Sequence, residues 1–232
     1  MNNAQLDPKA TVWTLDGHPT SEDAALRSLA AGAPLLVAMH GYGANERDLV
    51  PIMHLLPKPF VGAFLRAPLS LAQLMPGGYS WFPLSLQDPT MLPEQSVQFA
   101  SAAADAVWAW INTLGVDTRN VALLGFSQGG VMVTTLMRQH PGAFACGVNL
   151  SGFIAPGVFP GDAELARSPE PLFWGRDEAD PVITAEAIAL TQQWVPEHTV
   201  LTKKLYPGIG HGISEAELRD VSAFLEAYVD GL

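Results

Sequence analysis

The chain has 232 residues, 48% of them hydrophobic, which is enough for one substantial core and fits one domain running 1–232. Its net charge of −11, from 12 Lys and Arg against 23 Asp and Glu with no basic run, would repel a phosphate backbone or an anionic membrane, so nucleic acid is excluded as a partner. The N-terminus lacks a signal-like pattern and no apolar run reaches bilayer length, so the expectation is a soluble, cytoplasmic protein without stable membrane insertion.

In chain order, the first predicted strand is "PLLVAMH" (34–40), followed by the glycine-rich loop "GYGANERDL". That loop holds neither a P-loop pattern nor a full G-x-G-x-x-G, so no nucleotide cofactor is expected there. A second strand, "VGAFLRA" (61–67), leads into the Pro-rich, aperiodic stretch 67–92. Loops of that length in a compact domain are often functional, and its Leu74, Met75, Trp81 and Phe82 are candidates for an apolar wall in a substrate pocket. Trp81 and Phe82 serve equally well as anchors of the loop to the core. "PEQSVQFASAAADAVWAWINTLG" then spaces Val97, Ala100, Ala104, Val107, Trp108 and Ile111 at helical intervals and stops at Gly115.

Strand "NVALLG" (120–125) runs into Phe126, Ser127, Gln128, Gly129 and Gly130, and a helix follows from Val131. Three further strands are predicted at "ACGVNLS" (145–151), "PLFWG" (171–175) and "VLTKKLY" (200–206). Cys146, the only cysteine, sits in one of them without a Cys or His at ligand spacing, which makes it an inert core residue and leaves no metal site. The final helix opens with the capping-box pair Ser214 and Glu217 and carries Leu218, Val221, Phe224, Leu225 and Tyr228 on one face. Apolar strands alternating with helices predict an α/β fold with a largely parallel sheet and helices on both faces. No repeat or linker divides it.

Gly125-Phe126-Ser127-Gln128-Gly129 fits G-x-S-x-G, a serine on a sharp strand-to-helix turn where side chains two positions either way would collide with the neighbouring strand and helix. Such a turn lifts the hydroxyl above the sheet edge and sets backbone N–H groups at a helix N-terminus. A serine nucleophile needs a base and an orienting acid, in the order Ser, Asp or Glu, His, on loops after successive strands. "RDEADPVI" offers Asp177, Glu178 and Asp180; "PGIGHGIS" offers His211, between Gly210 and Gly212. Asp180 is favoured because Pro181, Val182 and Ile183 make an apolar turn that buries a carboxylate, whereas Asp177 and Glu178 adjoin Arg176 and can simply be solvated. The backbone N–H groups of Tyr42 and Gln128 form the natural pair of oxyanion donors, and His40 is read as bracing its loop.

Together "HGYGANERDL", "GFSQGG", "DPVI" and "GHGIS" resemble the phospholipase/carboxylesterase family of α/β-hydrolases, from about Pro34 to the end of the chain. The resemblance implies an α/β-hydrolase fold with Ser127 as nucleophile, Asp180 as acid, His211 as base, and Tyr42 and Gln128 as oxyanion donors. It implies a cofactor-free hydrolysis of carboxylic esters, thioesters among them, by an acyl-protein-thioesterase-like or small carboxylesterase-like protein. One departure stands out: where many members read Trp-Phe-Asp, this chain has Trp81, Phe82 and Pro83, so no role for that aspartate carries over. The segment from Phe153 to Pro171 is too short for a lid domain, which points to an open groove and short to medium acyl chains. The expected partner is a small-molecule ester or acylated substrate, and the protein is a monomer or homodimer. A peptidase or amidase on the same triad, or an idle hydrolase fold used for binding, are the alternatives.

Overall fold

The computed structural model describes residues 5–84 and 94–229. An antiparallel hairpin, β1 (Val12–Leu15) and β2 (His18–Thr20), comes first. It was not expected from the sequence, yet it had a signal: Asp16 and Gly17 both take positive φ, 51° and 81°, as the central pair of a tight hairpin turn requires. Helix α1 (Glu22–Ala30) follows, capped by Ser21, whose side chain accepts from the Ala24 N–H. Next come β3 (Leu35–Met39), a 3-10 turn Val50–Leu55, β4 (Val61–Leu65), and a small hairpin of β5 (Leu69–Ser70) and β6 (Tyr79–Ser80). The second half is regular: α2 (Glu94–Thr113), β7 (Val121–Phe126), α3 (Gln128–Gln139), β8 (Cys146–Leu150), α4 (Asp162–Leu165), β9 (Glu170–Arg176), α5 (Ala185–His198), β10 (Thr199–Leu205) and α6 (Glu215–Tyr228).

The main sheet has eight strands in the order β10-β9-β8-β7-β3-β4-β1-β2. All six strands expected from the sequence are in it and run parallel, while β1 is antiparallel to β4 and β2 to β1. The apolar runs reflect burial on two sides. Leu35, Val37 and Met39 of β3 pack into one core with residues of α1, α2, α3 and α5, while Leu36 and Ala38 pack into the other with Leu218, Val221, Phe224 and Leu225 of α6. On α2, Ala100, Ala104, Val107 and Ile111 are buried as expected, Trp108 is half-buried, and the Val97 side chain lies outside the described residues. Cys146 is buried in β8, where desolvation pushes its thiol up to about 12.

The chief consequence for function is geometric. Because β3, β7, β9 and β10 are parallel, the loops after them leave the same edge of the sheet, with β7 next to β3 near the centre. That edge is where open α/β sheets hold ligands. Between β8 and β9 the only helix is the four-residue α4, so no lid domain stands there.

Candidate active site

Ser127 links β7 to α3 with φ 54° and ψ −115°, a conformation that L-residues adopt only where the surroundings impose it. Its N–H donates to the Leu150 carbonyl of the neighbouring strand at 2.8 Å, and its own carbonyl accepts from the Gly130 and Val131 N–H groups. The sequence argument for the flanking glycines holds. A Cβ on Gly125 would overlap the backbone of Gly129, and one on Gly129 would strike the Met39 carbonyl of β3.

The hydroxyl meets one side chain from another strand end, and that side chain is held by a second. His211, between β10 and α6, has its Nε2 2.9 Å from Ser127 Oγ and its Nδ1 2.8 Å from Asp180 Oδ2. A carboxylate only accepts, so Nδ1 carries the proton and Nε2 presents a lone pair to the serine O–H. Asp180 is held in turn: its Oδ1 accepts the Val182 N–H at 2.8 Å and the Ile183 N–H at 3.2 Å. Its side chain is fully buried, and the guanidinium of Arg176 lies 3.9 Å from Oδ2. The Phe126 ring packs beside the imidazole with centroids 5.0 Å apart. Of the three acids considered, Asp180 is therefore the one paired with His211.

Asp177 differs from its expected solvated state. It is buried, and it accepts backbone hydrogen bonds from Ala179, Gly208 and Gly210, the last two on the loop that carries His211. Those bonds hold its carboxyl below the usual range. The connection spans more than thirty residues of chain, so no local pattern announces it.

The turn after β3 passes beside the serine: a Cβ on Gly41 would sit 3.5 Å from the Ser127 Cβ. Tyr42 and Gln128 line the same cleft as Ser127, and among the described residues neither backbone N–H is used in a backbone hydrogen bond. His40 braces this turn as expected. Its Nδ1–H donates to the Gly41 carbonyl at 2.7 Å, its Nε2 accepts the Ala67 N–H at 3.1 Å, and burial lowers its pKa, which suits a ring that must stay neutral to accept. Glu46 pairs with Arg66 through two bonds of 2.7 and 2.6 Å, and Gly43 and Ala44 exchange backbone bonds with Tyr79.

The apolar wall expected of Leu74, Met75, Trp81 and Phe82 is not where the structure puts those residues. Trp81 and Phe82 are 1% and 0% exposed, in the core and outside the cleft lining. Trp81 Nε1–H donates to the His40 carbonyl at 2.9 Å, and the Gln128 side chain accepts the Trp81 N–H and donates to the Phe82 carbonyl. Segment 80–82 thus ties the Gln128 side chain to His40 at the end of β3, a part for the Gln128 side chain that sequence reasoning missed. Leu74 and Met75 are 67% and 45% exposed and also lie outside the lining. Pro83, at the departure from the family pattern, is exposed. Of the long loop only Leu84 reaches the cleft among the described residues; 85–93 fall outside them.

The cleft itself has a volume of about 500 Å³ and is walled by Leu49, Ile52, Leu84, Phe153, Ile183 and Ile213. Among the described residues, Asp48 and His211 are the only Asp, Glu, Lys, Arg or His in its lining. Among the described residues no group of three or more His, Cys, Asp or Glu is placed to hold a metal ion, and no helix is long and apolar enough to cross a membrane.

Known proteins share part of this sequence and its fold. The chain is 27% identical over 163 residues to carboxylesterase SOBER1 of Arabidopsis thaliana, a match covering 66% of this chain and 69% of that protein. Its fold is that of esterase PE8, at a TM-score of 0.71 and 23% identity over 85% of this chain and 93% of that one. A carboxylesterase from Mesorhizobium loti superposes with a TM-score of 0.70 at 20% identity, covering 97% of this chain and 99% of that one. The phospholipase/carboxylesterase family model matches residues 28–229, and with the sheet order and the Ser-x-Gly turn already described, the chain belongs to that family of α/β-hydrolases.

Proposed function

We propose that the protein is a serine hydrolase that cleaves carboxylic esters of short to medium acyl chains, oxygen esters and thioesters alike, through an acyl-enzyme. The observation that carries this reading is the unbroken hydrogen-bond chain from Ser127 Oγ through His211 to the buried Asp180, opening on an apolar cleft. Ser127 Oγ attacks the acyl carbon while His211 Nε2 takes its proton, and the Asp180 carboxylate stabilises the imidazolium formed. The carbonyl oxygen, now an alkoxide, faces the Tyr42 and Gln128 N–H groups at the positive end of α3. Collapse of this intermediate breaks the bond to the leaving group, which departs with the proton from His211. Water then repeats the sequence on the acyl-enzyme and releases the acid and free Ser127. No step needs a cofactor.

The walls of the cleft suit an uncharged acyl chain, and the carboxylate of Asp48 weighs against substrates with an anionic tail. The decisive experiment combines labelling by a fluorophosphonate with turnover of matched nitrophenyl ester, thioester and anilide substrates. Wild type should be labelled and should turn over ester and thioester, and Ser127→Ala should do neither while remaining folded. Faster cleavage of the anilide would make the protein an amidase, and a folded wild type that is neither labelled nor active would make it a binding module.

A further inference from the structure

We infer that Asp177 and Ser151 are positioning residues that clamp the His211 turn from both sides. This rests on the reading of His211 as the base. The two glycines flanking His211 give it room to reach Ser127, and the same freedom would let the imidazole wander. Both are pinned. On one side Asp177 Oδ2 accepts the Gly208 N–H at 2.7 Å and the Gly210 N–H at 2.9 Å, while its Oδ1 takes the Ala179 N–H at 2.9 Å. One buried carboxylate therefore joins the base's turn to the turn that carries Asp180. On the other side Ser151, at the end of β8, donates its hydroxyl to the Gly212 carbonyl at 3.2 Å.

Ser151 also shows strain. It is a buried non-glycine residue at φ 49°, held there while its N–H donates to the Gly175 carbonyl. Glycine would occupy such a backbone more comfortably, so the hydroxyl is the feature that distinguishes serine here. Gly208 and Gly210 adopt φ 89° and 58°, which aims their N–H groups together at the Asp177 carboxylate. Three strand ends, those of β8, β9 and β10, are thereby fastened around one histidine.

The test uses Asp177→Asn and Ser151→Gly in the full chain. In Asp177→Asn one of the two oxygens becomes an amide nitrogen, which faces either the Gly208 and Gly210 donors or the Ala179 donor with another donor. Ser151→Gly removes the hydroxyl and relieves the backbone, so its unfolding midpoint should be unchanged or raised. Misplacement of a catalytic group by about 1 Å costs on the order of a hundredfold, so kcat should fall about 10- to 100-fold in each variant with KM nearly unchanged. The loss should be larger for an ethyl ester than for a nitrophenyl ester, because the poorer leaving group depends more on the proton from His211. Partial unfolding would lower both rates by one factor. The downfield proton resonance of His211 Nδ1–H reads the same clamp without turnover: it should be sharp in wild type and broadened by exchange in both variants. Resonances equally sharp in all three proteins, or rates that fall equally for both esters in step with the folded fraction, would overturn the clamp. A wild type with a sharp resonance and no turnover would refute the proposed hydrolysis and leave the clamp standing on the resonance.

Discussion

Replacing Asp180 by Asn changes one atom, and the surroundings dictate where that atom goes. The Val182 and Ile183 N–H groups both point at Oδ1, so the amide oxygen must take that place and the NH2 must occupy the position of Oδ2. There it faces His211 Nδ1, 2.8 Å away in the wild type, and two N–H groups cannot share that gap. The imidazole answers by moving its proton to Nε2. It then offers Ser127 a donor where a lone pair is required, and the positive charge that develops on the ring loses its counter-ion. Loss of the orienting aspartate in a Ser-His-Asp triad lowers kcat by about 10⁴. With the ring in the wrong tautomer and its charge uncompensated, a fall of about 10³- to 10⁴-fold, or roughly 4–5.5 kcal/mol in activation free energy, is expected. Size and the two backbone bonds are retained, while the buried guanidinium of Arg176 loses a nearby negative charge, so the unfolding midpoint should fall modestly with the protein still folded at assay temperature. The assay is steady-state turnover of nitrophenyl acetate between pH 7 and 9 beside a thermal unfolding curve. A folded Asp180→Asn protein within tenfold of wild-type kcat would refute the assignment of this carboxylate.

Trp81→Ala should lower kcat/KM by the same factor for every acyl length and destabilise the protein by about 3–5 kcal/mol, because the side chain is core and its Nε1–H holds the His40 carbonyl. Ile52→Ala, in the cleft wall, should instead spare acetyl esters and cost up to about fourfold in kcat/KM per methylene that has lost its contact, read from an acetyl-to-decanoyl series. Reversed profiles would place the acyl chain elsewhere. Glu217 is buried beneath Gly175 and its carboxyl is pushed up to about 7 by desolvation. Between its ordinary value of 4.5 and about 7 the folded state binds more protons than the unfolded chain, so this group's contribution to stability is lost as pH rises through that window. Glu217→Gln, which can keep the capping box with Ser214, should therefore match wild type at pH 5 and exceed it by about 1–3 kcal/mol at pH 8 in urea unfolding. An equal effect at both pH values would show that the carboxyl is not desolvated.

The sequence by itself determined the parts of this protein that depend on neighbours in the chain. Five of the six predicted strands are near-continuous apolar runs because both faces are covered, the sixth, β10, is a mostly exposed edge strand, and all six lie parallel in the sheet. Gly125 is demanded by the turn itself, where a Cβ would overlap the Gly129 backbone, and the loops after successive strands offer Asp180 and then His211 to Ser127; Gly129 also makes room for the Met39 carbonyl of β3. Even the unexpected β1–β2 hairpin was written locally, in Asp16 and Gly17. Tertiary structure decided whatever rests on partners far away in sequence. The flanks of Asp180 favoured it as the acid, but nothing near Asp177 told that its carboxylate faces the backbone N–H groups of residues 208 and 210 while Asp180 faces the imidazole of residue 211. Trp81 has the composition of a pocket wall, and only the His40 carbonyl and the Gln128 side chain, 41 and 47 residues away, turn it inward. The walls that do line the cleft, Leu49, Ile52, Leu84, Phe153, Ile183 and Ile213, come from separate loops and share no pattern. Loop backbones have no fixed period, so the direction of each side chain there is set by the hydrogen bonds and packing that close only when the strand ends are brought together.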